Sequence, residues 1–538
     1  MVAILQTPAF RRLPFHPLPS LSAATLRPIL LCAVWMAVWY GAWLWLGEAY
    51  ADSNALALLP VIAGFAPLLL WSLYDYRRGL LLTVIATPLL IAPVIPHNFT
   101  QGFGDWFAVC SIVGFVFRHP KPRQWLGLWR PGYGWFIFIL AAAAISLAAS
   151  PVIGQTLTYG IKYGIAEMLG YCLDFGFLAI LVHSIRDKRD FRAVLYGVGA
   201  GLLVVMAYSA VGLVMTTLCT GNFYGPRTPL TSNQTISSTF GSANYHAAYL
   251  ITVLPLAFLL YLRSAGFKFA SAGMAVLIAL IALFIEASTS RAALLMLIAL
   301  SVSWVGITRF KKETRAMSVV LLLMLPVTVV AWWYPICTCP DGPKSTCPFK
   351  VLEEAPMLAP LVQAPSAEAP GALVTLPPPP IVGAAKPYLR EFDLDTTLLK
   401  TTKGNGGWQD KARIQLMQNA IFLWGDNPIS GVGVGLMPNY SYVFGQANRA
   451  HNMILTIAAE QGIIGVLAWS GWVGYLMLVL WRARPKAIAY NHAFIFLVLA
   501  FAATMVESAF MDLYRMLWVW QLSALILAWP VVERAAKG

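Results

Sequence analysis

Apolar segments long enough to cross a bilayer recur along this chain and constrain its fold more than any other feature. A spanning helix needs about 20 mostly apolar residues. Because 59% of the residues are apolar and only 11% are charged, the polar surface is too small to enclose the rest in water. The sequence therefore predicts an all-α polytopic integral membrane protein, and it excludes a disordered chain, a disulfide-rich secreted scaffold and an ordinary cytosolic enzyme. About fourteen transmembrane helices are predicted by this length criterion, at 29–47, 55–74, 79–96, 103–117, 131–150, 166–185, 193–216, 247–262, 269–287, 291–308, 317–335, 462–481, 489–508 and 512–530.

The positions of the basic residues indicate the orientation of these spans. With a cytoplasmic N-terminus, 24 of the 37 lysines and arginines fall in inner segments, as the positive-inside rule requires. Nine of the others lie in one long outer loop, which also carries nine acidic residues. The net charge of +14 is therefore mainly a topogenic signal, and no nucleic-acid partner is expected.

This topology divides the chain into five parts. A cytoplasmic N-terminus, 1–28, precedes transmembrane helices 1–11 over 29–335. A long outer loop, 336–450, follows. Residues 451–530 hold a His-containing segment and transmembrane helices 12–14, and a cytoplasmic tail covers 531–538.

The outer loop itself has two contrasting regions. Residues 355–382 are rich in Pro and Ala and predict an extended linker. Residues 408–424 carry apolar side chains at helical spacing, with Met417 and Ile421 widening the stripe, and predict an amphipathic helix on the membrane surface or on the helical bundle. The run Gly431–Gly435 after it predicts a closely approaching backbone turn in preference to a dinucleotide site.

Cys337, Cys339 and Cys347 lie near the start of this loop. In an oxidising outer compartment a disulfide is favoured over a metal knuckle. The pairs 337–347 and 339–347 both remain open.

Three basic residues stand out near the outer boundary of the spans and on the outer loop. Arg291 lies between two apolar spans, where a charge is costly unless it snorkels or has an anionic partner. Arg413 lies on the predicted surface helix, and His451 lies where the loop re-enters the membrane. Each also has a structural interpretation, as an interface anchor, a solvated charge and a structural His respectively.

The pattern around these residues resembles the O-antigen ligase family, which belongs with the O-antigen polymerases. His451-Asn452 is followed, after nine residues, by Gly462-Ile463-Ile464-Gly465, and Arg291 is followed four residues later by Leu295. A long outer loop precedes the His, and the resemblance covers about 220–510.

The resemblance implies transfer of a glycan from undecaprenyl pyrophosphate to an acceptor hydroxyl on the periplasmic face of the bacterial inner membrane, with inversion at the anomeric carbon. A ligase would use the lipid A core as acceptor, and neither a cofactor nor a metal is implied. Arg291 and Arg413 would hold the pyrophosphate, since guanidinium groups grip phosphate in a bidentate way. His451 would act as general base.

Further substrate contacts are expected from Lys162, Arg227, Arg449 and Asn452. Glu460, nine residues after His451, would either orient the imidazole or be structural.

Other activities fit parts of the same pattern. A polymerase of O-antigen or exopolysaccharide would use a second carrier-linked glycan as acceptor, and a protein O-oligosaccharyltransferase would use a protein. A secondary transporter or flippase would place ionisable groups in mid-membrane, and Glu167 and Asp174 share one face of a predicted span. Glycan transfer in polysaccharide biosynthesis, lipopolysaccharide biosynthesis in particular, is the favoured interpretation.

Overall fold

The architecture is given by a computed structural model that describes residues 58–89, 103–121, 129–130, 132–150, 157–220, 231–232, 235–236, 243–264, 268–288, 290–308, 314–333, 406–440, 442–443, 446–447, 449–485 and 492–534. The segment 1–28, the first predicted span, the linker 355–382, Arg227 and the three loop cysteines lie outside these residues. The helices of the described part are α1 Leu58–Tyr74, α2 Tyr76–Ala86, α3 Phe103–Arg118, α4 Tyr133–Ala148, α5 Leu157–Ser184, α6 Lys188–Thr220, α7 Ala243–Ser264, α8 Lys268–Ala287, α9 Arg291–Thr308, α10 Arg315–Trp333, α11 Gly406–Asp426, α12 Met437–Tyr440, α13 Met453–Arg482, α14 His492–Ser508 and α15 Leu517–Arg534, with a 3₁₀ turn at Leu513–Arg515.

The described part is helical, as predicted, apart from two pairs of two-residue antiparallel strands. β1 (Thr231–Ser232) pairs with β2 (Thr235–Ile236), and β3 (Tyr442–Val443) pairs with β4 (Gln446–Ala447). Such short strands close turns and form no sheet core.

Within the described residues, six helical segments are long and apolar enough to cross a membrane. Three shorter apolar segments, in α1, α4 and α14, accompany them. The predicted total of about fourteen spans remains a prediction, because part of the chain lies outside the described residues. The six spans are 164–184, 188–211, 243–264, 269–287, 291–308 and 453–482.

Successive helices around the C-terminal half run antiparallel. α7 packs against both α8 and α14, and three residues separate α7 from α8. Thr252 Oγ1 lies 3.1 Å from Thr504 Oγ1, in the first half of α7 and the last turns of α14. The starts of α7, α9 and α13 and the ends of α8 and α14 therefore lie at one end of the assembly, here called the His451 end.

Aromatic side chains pack together towards the end of the assembly opposite His451. The Trp304 ring is fully buried and lies 4.7 Å from the Phe258 ring and 6.1 Å from the Phe496 ring, centroid to centroid. Its indole N–H donates to Ser318 Oγ at 3.2 Å. These contacts join the last turns of α7 and α9 to the first turns of α10 and α14, which fixes the antiparallel register.

A kink divides α13 near its start. Gly462 has φ 63° and ψ −162°, which is non-helical and open almost only to glycine. The turn after α11 docks into this kink, where Ile463 N–H donates to Pro428 O at 2.8 Å and Val432 N–H donates to Ala459 O at 2.8 Å. Gly431, Gly433 and Gly435 all have positive φ. The predicted close approach of this Gly-rich turn is therefore confirmed, and a dinucleotide site is not needed to explain it.

α11 covers the stretch for which the sequence predicts an amphipathic helix, and it packs against α13. Leu416, Ala420 and Leu423 are buried. Ile421, which the sequence analysis placed at the edge of the apolar stripe, is 50% exposed. It points away from α13, so the buried stripe is narrower than the spacing of apolar residues indicates.

Candidate functional site

His451 lies in a strained turn immediately before α13. Its φ of 51° is positive, which is uncommon for a residue other than glycine. Asn452 caps the helix, since its Oδ1 accepts from Leu455 N–H at 3.0 Å. Its Nδ2 donates to Ala509 O at 2.7 Å and so ties this turn to the end of α14. The predicted substrate contact of Asn452 remains a prediction, and the side chain already bonds the protein at both of its polar atoms.

Two charged groups act on the His451 imidazole from different elements. Burial lowers the pKa of His451, and the positive charge of Arg413 on α11 lowers it further, while the carboxylate of Asp512 acts in the opposite direction. Asp512 is buried between α14 and α15 and interacts with both the ring and the backbone N–H of His451. The net result is an imidazole that is neutral at pH 7. The structure thus brings together Arg413 and His451, two of the three residues that the sequence analysis assigned to catalysis.

Arg449, two residues before His451, is held between two carboxylates. Its Nη2 lies 3.2 Å from Glu167 Oε2 on α5, and its Nε lies 3.2 Å from Glu460 Oε1 on α13. The guanidinium also lies over the Tyr514 ring, 5.7 Å from its centroid. The predicted substrate contact of Arg449 remains a prediction. Its guanidinium already contacts two carboxylates and one aromatic ring of the protein.

Arg515 continues this series of charges. It lies 3.2 Å from Asp174 Oδ2 and 3.5 Å from Glu167 Oε1, and 5.4 Å over the Tyr171 ring. Gly170 makes room for it on α5, since a Cβ there would lie 1.8 Å from both terminal guanidinium nitrogens. The alternating set Glu460, Arg449, Glu167, Arg515 and Asp174 is here called the ion chain.

The ion chain is also anchored to the Gly-rich turn. Glu460 is fully buried, and its Oε2 accepts from Gly435 N–H at 3.0 Å. Its backbone carbonyl accepts from Gly433 N–H at 3.0 Å and from the Ser146 hydroxyl on α4. Glu460 therefore connects the Gly-rich turn, α4 and Arg449. These contacts explain its buried position without a contact to the His451 ring.

Arg291 is the first residue of α9 and its side chain is exposed. It follows the turn formed by Ser288 and Ser290, at the His451 end of the assembly. Lys162 lies in α5, but its side chain lies outside the described part. The convergence of Arg291 with His451 remains a prediction.

Sequence reasoning missed the connection between α14 and α15. The sequence predicted a span from 512, whereas Met511–Met516 forms a buried turn that carries Asp512, Tyr514 and Arg515 into the site. The signal available in the sequence was a pair of charges at the start of an apolar segment, which require partners.

The pairing of Glu167 and Asp174 with arginines also bears on transport. Their shared helix face was the feature that favoured a transporter, and the ion chain supplies both carboxylates with protein partners. Among the described side chains, no group of three or more His, Cys, Asp or Glu residues has an arrangement suited to a metal ion.

Comparison with known proteins identifies a similarity over the part of the chain that contains His451. A family model described as O-antigen ligase matches residues 274–470, just over a third of the 538-residue chain. A search of the curated proteins finds no match. The matched stretch contains Arg291, Arg413, Arg449 and His451. Together with the apolar helices, the match indicates a multi-pass membrane protein with an activity of the O-antigen ligase or polymerase type, acting on lipid-linked glycans. Over residues 274–470, this chain is therefore similar to the O-antigen ligase and polymerase superfamily.

Proposed function

We propose that this protein transfers a glycan from undecaprenyl pyrophosphate to a hydroxyl of the lipid A core, at the periplasmic face of the bacterial inner membrane. The observation that carries this proposal is the meeting of His451 with Arg413 and Asp512 at one end of a helical assembly that matches the O-antigen ligase model. A partly buried base beside a cation is the arrangement that transfer from a lipid pyrophosphate needs.

The leaving group sets the first chemical requirement. A pyrophosphate departs as a stable anion, so it needs positive charge more than it needs a proton donor. Arg413 and Arg291 would provide that charge, because a guanidinium is always ionised and binds phosphate oxygens in pairs. The lipid tail stays in the bilayer while the headgroup is held at the His451 end.

The acceptor sets the second requirement, since a sugar hydroxyl is a weak nucleophile. A neutral imidazole accepts its proton as the hydroxyl oxygen attacks the anomeric carbon and the bond to pyrophosphate breaks, with inversion of configuration. General-base catalysis of this kind contributes about 10²–10⁴-fold. The lowered pKa of His451, caused by burial and by Arg413, keeps this base unprotonated at neutral pH. Asp512 would orient the ring and stabilise the imidazolium.

The direct test is the variant His451→Asn. Asn tolerates positive φ, so the strained backbone is preserved while the base is lost. Purified protein, supplied with a carrier-linked glycan and lipid A core, should lose transfer by about 10²–10⁴-fold. His492→Asn, at the opposite end of the assembly, is the matched control and should retain activity. Undiminished transfer by His451→Asn would reject the general-base role.

Arg291 is tested by exchange for Lys. Lys keeps the charge but loses the planar pair of donors. We expect a raised KM for the donor and slower turnover. Wild-type kinetics in Arg291→Lys would exclude Arg291 from pyrophosphate binding.

A polymerase is the second candidate, favoured by the long outer loop and the predicted number of spans. The chemistry at His451 would be the same, with a second carrier-linked glycan as acceptor. The product of the same assay separates the two: glycan on lipid A core indicates a ligase, and longer carrier-linked chains indicate a polymerase. Labelled protein would indicate an O-oligosaccharyltransferase.

A further inference from the structure

Glu167 is the one described carboxylate that contacts both arginines of the ion chain. Its Oε2 lies 3.2 Å from Arg449 Nη2 and its Oε1 lies 3.5 Å from Arg515 Nε. The side chain is only 12% exposed. It comes from α5, outside the stretch that matches the O-antigen ligase model.

The position of Arg449 gives Glu167 an influence on the site. Arg449 is two residues before His451, and its guanidinium is held from α5 by Glu167 and from α13 by Glu460. On the other side of His451, Asn452 is bonded to α13 and to the end of α14. The turn is therefore fixed at both flanks, and a residue with positive φ persists only where its surroundings determine it strongly.

The contacts of Arg449 also argue against its binding phosphate. Nε is 3.2 Å from the fully buried Glu460 and Nη2 is 3.2 Å from Glu167, and the guanidinium lies over Tyr514. A phosphate that bound Nε and Nη2 in a bidentate way would have to displace a carboxylate. The guanidinium is instead placed to hold protein elements together.

We propose that Glu167 is a positioning residue for glycan transfer: by clamping Arg449 against Glu460, it fixes the turn that presents His451. The proposal rests on the function proposed above. It assigns Arg449 to the support of the base, in place of a substrate contact. It also explains why α5, which lies outside the matched stretch, is joined to the His451 segment through charges.

The experiment compares Glu167→Gln, Arg449→Gln and the double variant in the transfer assay. Misplacement of the base should lower kcat by about 10²-fold with KM for the donor unchanged. Because both changes break one contact, the double variant should be no slower than the slower single variant. Hydrogen–deuterium exchange of the peptide covering 449–455 should be faster in all three.

Glu507→Gln is the matched control. Glu507 is a second glutamate near the His451 end; it is fully buried, and both of its carboxylate oxygens lack a hydrogen-bond partner among the described residues. The exchange of Glu507 for Gln should leave kcat and the hydrogen exchange of 449–455 unchanged. If Glu167→Gln fails to fold, Glu167→Asp takes its place in the experiment. Asp keeps the negative charge but is one methylene too short to reach both Arg449 and Arg515, so kcat should also fall.

Two results would overturn the proposal. One is wild-type kcat and exchange in Glu167→Gln or Glu167→Asp. The other is a raised donor KM in Arg449→Gln with normal kinetics in Glu167→Gln, since that pattern makes Arg449 a phosphate ligand. Failure of the proposed function would be seen separately, as absence of transfer by the wild-type protein or full activity of His451→Asn, and the exchange measurement would still report on the clamp.

Discussion

Substitution of Gly462 by Ala tests whether the docked Gly-rich turn holds the site together. Gly462 has φ 63° and ψ −162°, and a Cβ built there would lie 2.2 Å from the Ile429 carbonyl oxygen and 2.3 Å from its carbon. Both neighbours are backbone atoms, so no flexible side chain can move to make space. The turn must shift or the helix must straighten.

The magnitude follows from these two effects. A non-glycine residue in this region of φ and ψ costs about 1–3 kcal/mol. Forcing an added methyl against fixed backbone costs about 1–3 kcal/mol more. Gly462→Ala should therefore destabilise the protein by roughly 2–6 kcal/mol. Displacement of the turn also breaks the Gly435 N–H contact to Glu460, so transfer should fall as well.

Gly474→Ala is the control within the same helix. Nothing lies within 4 Å of the Cβ position at Gly474, and an alanine in a regular helix is favoured over glycine by about 0.5–1 kcal/mol. Both variants are measured by thermal unfolding in detergent, followed through tryptophan fluorescence, and by the transfer assay. Equal stability and activity of Gly462→Ala and wild type would refute the docked-turn argument.

Two further substitutions probe the site from other directions. Arg413→Gln removes a positive charge that lowers the pKa of His451, so this pKa should rise and the acid limb of the kcat/KM profile should move to higher pH. An acid limb at the wild-type pH would show that Arg413 does not influence the protonation of His451. Gly170→Ala drives a methyl into the Arg515 guanidinium and should destabilise the protein by about 1–3 kcal/mol, whereas Gly134→Ala, in open space, should not. Thermal unfolding of that pair decides whether the close approach of Arg515 to α5 is required.

Much of the helical architecture follows from the sequence because lipid leaves the backbone few alternatives. The predicted spans 269–287 and 291–308 agree with Lys268–Ala287 and Arg291–Thr308 to within one residue. The span predicted at 462–481 begins nine residues late, since α13 starts at Met453. The polar pair Glu460-Gln461 interrupts the apolar pattern there, and the structure places both side chains inside the protein.

The site was only partly accessible to the same reasoning. The roles of Arg413 and His451 came from the family resemblance and from positions at the loop boundary. The contact between Arg515 and Asp174 joins residues 341 positions apart. A charge in an apolar segment indicates that a partner exists, but its sequence neighbours do not identify that partner. The strained φ of His451 has no local signal either, because it arises from contacts on both sides of the turn.

The kink at Gly462 also bears on how the protein tolerates different membranes. Spanning helices respond to a change in hydrocarbon thickness mainly by tilting. In α13 the kink separates a long segment, which packs against α4 and α15, from a short segment that is fastened to the Gly-rich turn and, through Arg449, to α5. We therefore expect a change in bilayer thickness to be met in part by bending at Gly462, with the short segment and the His451 turn keeping their protein contacts.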